Sequence, residues 1–192
     1  MDYCAIDFET ASRYADSACS IGLVKMDAEG SLLDEYYSLI RPPVLYFDPF
    51  NTSIHHLSEE KIRKAPTMKD LWPGIRDFIG PLPLVAHNAQ FDIRVLRSAL
   101  GSWGLEPCHN DYYCTLSLSR RVWKGLGSYK LTALAEGFGW EYEAHNALAD
   151  SIVCGRLFAK LCGEALYDEE ACVKFFRKVY RKDGAKRFPR KV

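Results

Sequence analysis

Residues 3–9 read YCAIDFE, and the alternation in this stretch decides the fold. Side chains along a strand point to opposite faces in turn, so Tyr3, Ala5, Asp7 and Glu9 share one face. Cys4, Ile6 and Phe8 take the other. Two further strands follow at 19–26 (CSIGLVKM) and 32–40 (LLDEYYSLI), joined by a hairpin turn at DAEG. Pro42, Pro43 and Pro49 then break regular structure. Ser58, followed by Glu60 and Lys61, and Thr67 read as helix N-caps. A short strand at 82–86 leads into a helix near 91–100, and Tyr112 to Thr115 form a last strand. Helical text covers 115–123, about 130–138, about 147–163 and 168–182. A three-stranded meander followed by strands alternating with helices predicts an α/β fold with a mixed sheet.

Composition sets the outer bounds. The chain has 192 residues, 48% of them apolar and 26% charged, the mix of an ordinary globular domain. Its 25 Lys+Arg balance 25 Asp+Glu, but unevenly. From Lys174 onward there are nine basic residues and one acid, which leaves residues 1–173 with 16 basic against 24 acidic, net −8. We expect one domain over 1–167, with 168–192 as its basic helical extension. The seven cysteines include no C-x-x-C pair, so neither a zinc knuckle nor a redox motif is indicated. No signal peptide and no apolar run of about 20 residues is present, so the expected setting is reducing and cytoplasmic, without a membrane.

Acids recur where apolar residues are expected. Asp7 and Glu9 end an apolar strand, side by side on one face. In the helix near 91–100, Asp92 heads the stripe Val95, Leu96, Ala99. Asp92 alone is equally well explained by the helix dipole. In the helix from 147, Asp150 heads the stripe Val153, Cys154, Leu157, Leu161. His145 falls in the loop before that helix, with Asn146 as its N-cap. Each carboxylate has an ordinary structural explanation singly. Together, unpaired, they would be strongly destabilising, and a hard divalent ion is the economical partner. Oxygen ligands without cysteine suit Mg²⁺ or Mn²⁺ rather than zinc.

The stretches DFET (7–10), HNAQFD (87–92) and HNALAD (145–150) resemble, in order and spacing, the motifs of the DnaQ-like DEDDh 3′→5′ exonucleases. That family includes the proofreading subunit of DNA polymerase III, ribonuclease T and oligoribonuclease. NTSIHHLSEEKI (51–62) and SYKLTALAEGFG (128–139) are also similar to segments between the motifs. The resemblance implies a ribonuclease H-like fold, a five-stranded mixed sheet flanked by helices. It also implies two divalent metal ions, Mg²⁺ or Mn²⁺, held by Asp7, Glu9, Asp92 and Asp150, with His145 as general base. Thr10, His55 and Asn88 would seat the 3′-terminal nucleotide. Two departures stand out: His56 replaces a glycine, leaving that contact open, and Phe8 replaces threonine on the face away from the acids.

The implied activity releases nucleoside 5′-monophosphates from a single-stranded or frayed 3′ end, with DNA favoured over RNA. Implied partners are that nucleic-acid end and a DNA polymerase subunit, and a homodimer stays open. A catalytically silent binding module of the same fold is the rival reading, as is a structural metal-binding domain. KGLGSYK (124–130) lacks the order of a phosphate-binding loop and reads as a turn. The aromatics of 36–50 read first as core and edge-strand residues, and second as a base-stacking surface. The alternating basic and aromatic residues of 174–191 fit a solvated face and a nucleic-acid track equally well.

Overall fold

A computed structural model describes residues 1–166, so the helix expected at 168–182 and the basic extension lie outside the described residues. The strands are β1 (Tyr3–Thr10), β2 (Ala18–Met26), β3 (Leu32–Leu39), β4 (Leu84–Ala86) and β5 (Tyr112–Cys114). They form one sheet in the order β3-β2-β1-β4-β5. The first three make the antiparallel meander, while β4 runs parallel to both β1 and β5. The hairpin turn is tied by Asp27, whose Oδ1 accepts from the backbone N–H of Glu29 and Ser31 at 3.0 and 2.8 Å.

Seven helices complete the described chain: α1 (Pro49–His55), α2 (Glu59–Arg63), α3 (Met68–Ile79), α4 (Gln90–Gly101), α5 (Thr115–Val122), α6 (Leu131–Gly137) and α7 (Ala147–Leu166). Ser58 caps α2, and Thr67 caps α3 through a capping box with Asp70. Helix α1 is a correction to the sequence reading, which took Pro49 only as a breaker. Pro49 occupies the first helical turn, where its missing N–H costs nothing, and the Asp48 side chain caps the helix at the Phe50 N–H.

The two faces of β1 divide the core as the alternation predicts. Cys4, Ile6 and Phe8 pack with Trp72, Ile75, Ile79, Val95 and Leu96 of α3 and α4. Tyr3 and Ala5 pack with Val153, Leu157, Phe158 and Leu161 of α7. After β1 the chain turns to β2 and β3 on one side, and later returns to β4 on the other. In open α/β sheets, that reversal leaves a crevice at the carboxyl ends of the flanking strands. Asp7 and Glu9 end β1 at this crevice, and Asp92 follows β4 into it.

Gly22 sets the depth of α7 on the sheet. It is the cross-strand partner of Asp7, and a Cβ built there would lie 2.2 Å from the Ala147 carbonyl oxygen. The first turn of α7 therefore rests on bare backbone, and Ser151 Oγ donates to the Gly22 carbonyl at 2.9 Å. Further along, Gly155 leaves no room for a Cβ against Met26 Sδ, and its carbonyl accepts from the Tyr3 hydroxyl at 2.9 Å. Backbone-to-backbone contact has no side chain that can swing aside. We expect Gly22→Ala to lose about 3 kcal/mol or more, at the upper end for overpacking. Chemical denaturation measures this, and an unchanged midpoint would contradict the close approach.

Candidate active site

Four elements converge on the crevice. Asp7 and Glu9 come from β1, and the β1–β2 register slips between Glu9 and Thr10, opposite Ser20 and Ala18. Such a bulge bends a strand and re-aims its side chains. Asp92 sits in the first turn of α4 and Asp150 in the first turn of α7, only 1% and 8% exposed. The stripes they head are buried as the helical spacing predicts. His145 lies just before α7 with φ +63°, and Asn146 caps the helix by accepting from the Leu148 and Ala149 N–H groups at 3.2 and 3.4 Å. Glu9, Asp150 and the exposed His145 each offer a ligand atom, all within 4.8 Å of one another.

Burial and mutual repulsion govern these acids. Burial raises the Asp7 pKa well above the carboxylate range, and the charges of Asp92, Asp150 and Glu9 push it further. Glu9 is pushed up to about 8 by burial, then by Asp150 and Asp92. Asp92 also reaches about 8 through burial, with the charge of Asp150 adding to the rise. Asp150 is raised less: the Tyr142 hydroxyl, the His145 and Asn146 amides and the His145 ring oppose its burial.

Among the described residues, no Lys or Arg forms a salt bridge to the cluster. The salt bridges among the described residues are Arg63–Glu59, Arg76–Asp77 and Lys160–Glu164, none of which reaches these acids. Both Asp92 carboxylate oxygens are buried without a hydrogen-bond partner. A buried ionised carboxylate left this way is costly unless a cation joins it. The donor set, oxygen-rich with one imidazole beside it, fits Mg²⁺ or Mn²⁺.

Beside Glu9 opens a slot of about 230 Å³, lined by Thr10, Asn51, Ile54, His55 and Phe91 among others. Thr10 and His55 thus line the same slot as Glu9. Asn88 is exposed in a left-handed turn (φ +69°) and is not among the slot's lining residues. His55 is largely enclosed: its Nδ1 accepts from the Leu57 N–H at 3.0 Å, so its proton resides on Nε2, 3.9 Å from Cys19 Sγ. Burial lowers its pKa, which keeps the ring neutral. Phe8 packs on the far face as expected, yet it also borders the slot. The β1–β2 loop residues Ser12, Arg13 and Tyr14 line the slot as well, and they border a second groove of about 650 Å³ with Val44 and Tyr46.

The sequence reading missed three contributors. Asn51 donates from Nδ2 to the Thr10 carbonyl at 2.9 Å and to its Oγ1 at 3.3 Å. The Asp48-Pro49 helix start was the available signal, because it sets Asn51 and His55 four residues apart on one face. Tyr142 donates to Asp150 Oδ1 at 3.0 Å, and Gly22 seats α7; no local pattern marks either. His56 ends α1 with φ +58°, a conformation natural to glycine, which accounts for the glycine that the family pattern has there. His87 opens the second motif but acts as a brace. Its Nε2 donates to the Tyr129 carbonyl and its Nδ1 bonds Thr115 Oγ1, both at 2.9 Å, and burial depresses its pKa to about 4.

Residues 4–158 match the RNase T exonuclease family, across the sheet and every acid described above. The chain belongs to that family. This exonuclease is 30% identical over 176 residues to the DNA polymerase III subunit epsilon of Treponema pallidum, covering 89% of this chain and 81% of the relative. It is 29% identical to a PolC-type DNA polymerase III of Caldanaerobacter subterraneus over 83% of this chain, but spans only 11% of that protein. Among solved structures, exonuclease X in complex with 5′-overhanging duplex DNA superposes with a TM-score of 0.72 at 24% identity, over 90% of this chain and 98% of that one. The exonuclease thus has the ribonuclease H-like fold and is a 3′→5′ exonuclease of the DnaQ type. No helix among the described residues is long and apolar enough to cross a membrane.

The raised acids make the metal-free exonuclease sensitive to pH with a defined sign. Glu9 and Asp92 rise from 4.5 and 3.8 to about 8, so between about pH 4 and 8 the folded state holds protons that the unfolded state has released. Stability then falls as pH rises through this window. Thermal melting in EDTA should drop steadily from pH 5 to 8.5, and added Mn²⁺ should restore it most at the alkaline end. Melting that rises with pH in EDTA would contradict the buried cluster.

Proposed function

We propose that the chain hydrolyses the last phosphodiester bond at a single-stranded or frayed 3′ end, releasing nucleoside 5′-monophosphates, with DNA favoured over RNA. The observation that carries this reading is the orphaned Asp92 carboxylate in a cluster with Asp7, Glu9 and Asp150, opening onto a slot beside an exposed histidine. Preference for DNA is supported by relatives that are DNA polymerase III subunits. Those relatives also support association with a DNA polymerase subunit, while a homodimer and a cytoplasmic setting remain part of the proposal on sequence grounds alone.

Asp7, Glu9, Asp92 and Asp150 hold two divalent ions, Mg²⁺ or Mn²⁺, in this reading. Bound there, the ions supply hard positive charge to the attacking and leaving oxygens of an in-line displacement. The protein's own groups do the rest. His145 stands in solvent beside Glu9 and Asp150, where a ring nitrogen takes the proton of the attacking water. The slot receives one unpaired terminal nucleoside: Ile54 and Phe91 give it an apolar wall, and Asn51 fixes Thr10 at its mouth. A base pair has no place there, so the terminal nucleotide must first leave its partner strand. Arg13 and Tyr14, on the loop bordering the slot, are placed to meet the substrate.

A 3′-tailed oligonucleotide with Mg²⁺ or Mn²⁺ tests the proposal. It should shorten stepwise to 5′-mononucleotides, and EDTA should stop the reaction. Asp7→Ala and His145→Ala should each cost about 10²-fold or more, the usual range for losing such a group. Activity surviving both EDTA and Asp7→Ala would overturn the metal mechanism, and internal cutting of a 3′-blocked oligonucleotide would overturn the exonuclease polarity.

A further inference from the structure

The loop before α7 does more than deliver His145. At His145 the backbone takes a left-handed turn (φ +63°) between Tyr142 and the start of α7. Tyr142, eight residues ahead of Asp150, comes within hydrogen-bonding reach of it, and its hydroxyl donates to Asp150 Oδ1 at 3.0 Å. The Tyr142 ring is half-buried against the α7-side core, where Phe138 and Trp140 stack beside it in sequence with ring centroids 5.0 Å apart. A phenol keeps its proton at neutral pH, so the hydroxyl is the donor in this bond.

We propose that Tyr142 is a positioning residue for the metal-binding site: its hydroxyl fixes the rotation of the Asp150 carboxylate so that the acid meets the ions already oriented. This rests on the metal reading given above for Asp150. A carboxylate at the head of a helix turns freely about its terminal torsion unless something holds one oxygen. Among Asp7, Glu9, Asp92 and Asp150, only Asp150 has a side-chain hydrogen bond of this kind among the described residues, and both oxygens of Asp92 have none. Asp150 is thus the pre-set member of the cluster, against which the others arrange when cations enter. Partners of metal ligands act in this way, and their loss typically weakens metal affinity ~10–100-fold.

Tyr142→Phe removes the hydroxyl and keeps the ring. Calorimetric titration of Mn²⁺ into the metal-free protein should show affinity about 10-fold weaker than for the unsubstituted protein, consistent with the lower bound for such partners. Melting in EDTA should fall only slightly, since one hydrogen bond to a buried acid is lost while the packing of the ring is kept. Nuclease turnover should recover as Mn²⁺ is raised to saturation. With Asp150→Asn as background, Tyr142→Phe should cost little further affinity, because the two changes remove parts of one device. Unchanged Mn²⁺ affinity, whatever the change in melting, would show a merely structural tyrosine and overturn the proposal. Absence of Mn²⁺ binding by the unsubstituted protein would overturn the metal reading itself, which separates the two failures.

Discussion

Four carboxylates crowded at the end of one sheet repel one another, and the construction of this protein is arranged around tolerating that repulsion. Asp7 and Glu9 come from β1, Asp92 from α4 and Asp150 from α7, and the charges of Asp92 and Asp150 raise the proton affinity of both Asp7 and Glu9. No salt bridge among the described residues relieves them. Burial adds to the cost because the low-dielectric interior strengthens like-charge repulsion along with every other electrostatic term. A core that only had to be stable would place leucines there. The sheet, the bare backbone at Gly22 and the capped start of α7 supply the opposing stability, and the site draws on it.

Much of this was legible in residues 3–9 and in two helical stripes. The period-two alternation of YCAIDFE assigned both faces of β1, and the structure divides its core along that line. Asp92 and Asp150 were readable because each stands at a helical position otherwise occupied by core residues, and both are buried. What escaped was of another kind. Gly22 matters through the approach of Ala147, 125 positions away in sequence, and no pattern local to CSIGLVKM reveals a helix resting on it. Tyr142 matters through a hydrogen bond to Asp150 across a left-handed histidine, His145, which periodicity cannot anticipate. Helix α1 is hidden for a plainer reason: Pro49 reads as a breaker, and only the preceding aspartate marks it as a helix start.

The same geometry separates motif residues that touch the crevice from those that brace it. His87 and His145 open similar-looking hexapeptides, yet one is clamped between Tyr129 and Thr115 while the other stands in solvent beside Glu9 and Asp150. His87 thereby ties the turn before α4 to the start of α5 and to the loop leading into α6. His56 shows a third use, closing α1 in a backbone conformation that costs a non-glycine residue of order 1 kcal/mol. Identical side chains thus stand in solvent beside the acids, brace a turn or close a helix according to burial and backbone alone.

The central claim is that hard cations, and not protons, complete the acid cluster when the protein works. Calorimetric titration with Mn²⁺ in two buffers of different ionisation enthalpy measures both binding and the protons displaced. With Glu9 and Asp92 holding protons up to about pH 8 and Asp7 raised as well, binding near pH 6.5 should release about two protons or more, and binding near pH 9 fewer. Binding without proton release at pH 6.5, or no binding at either pH, would contradict the claim.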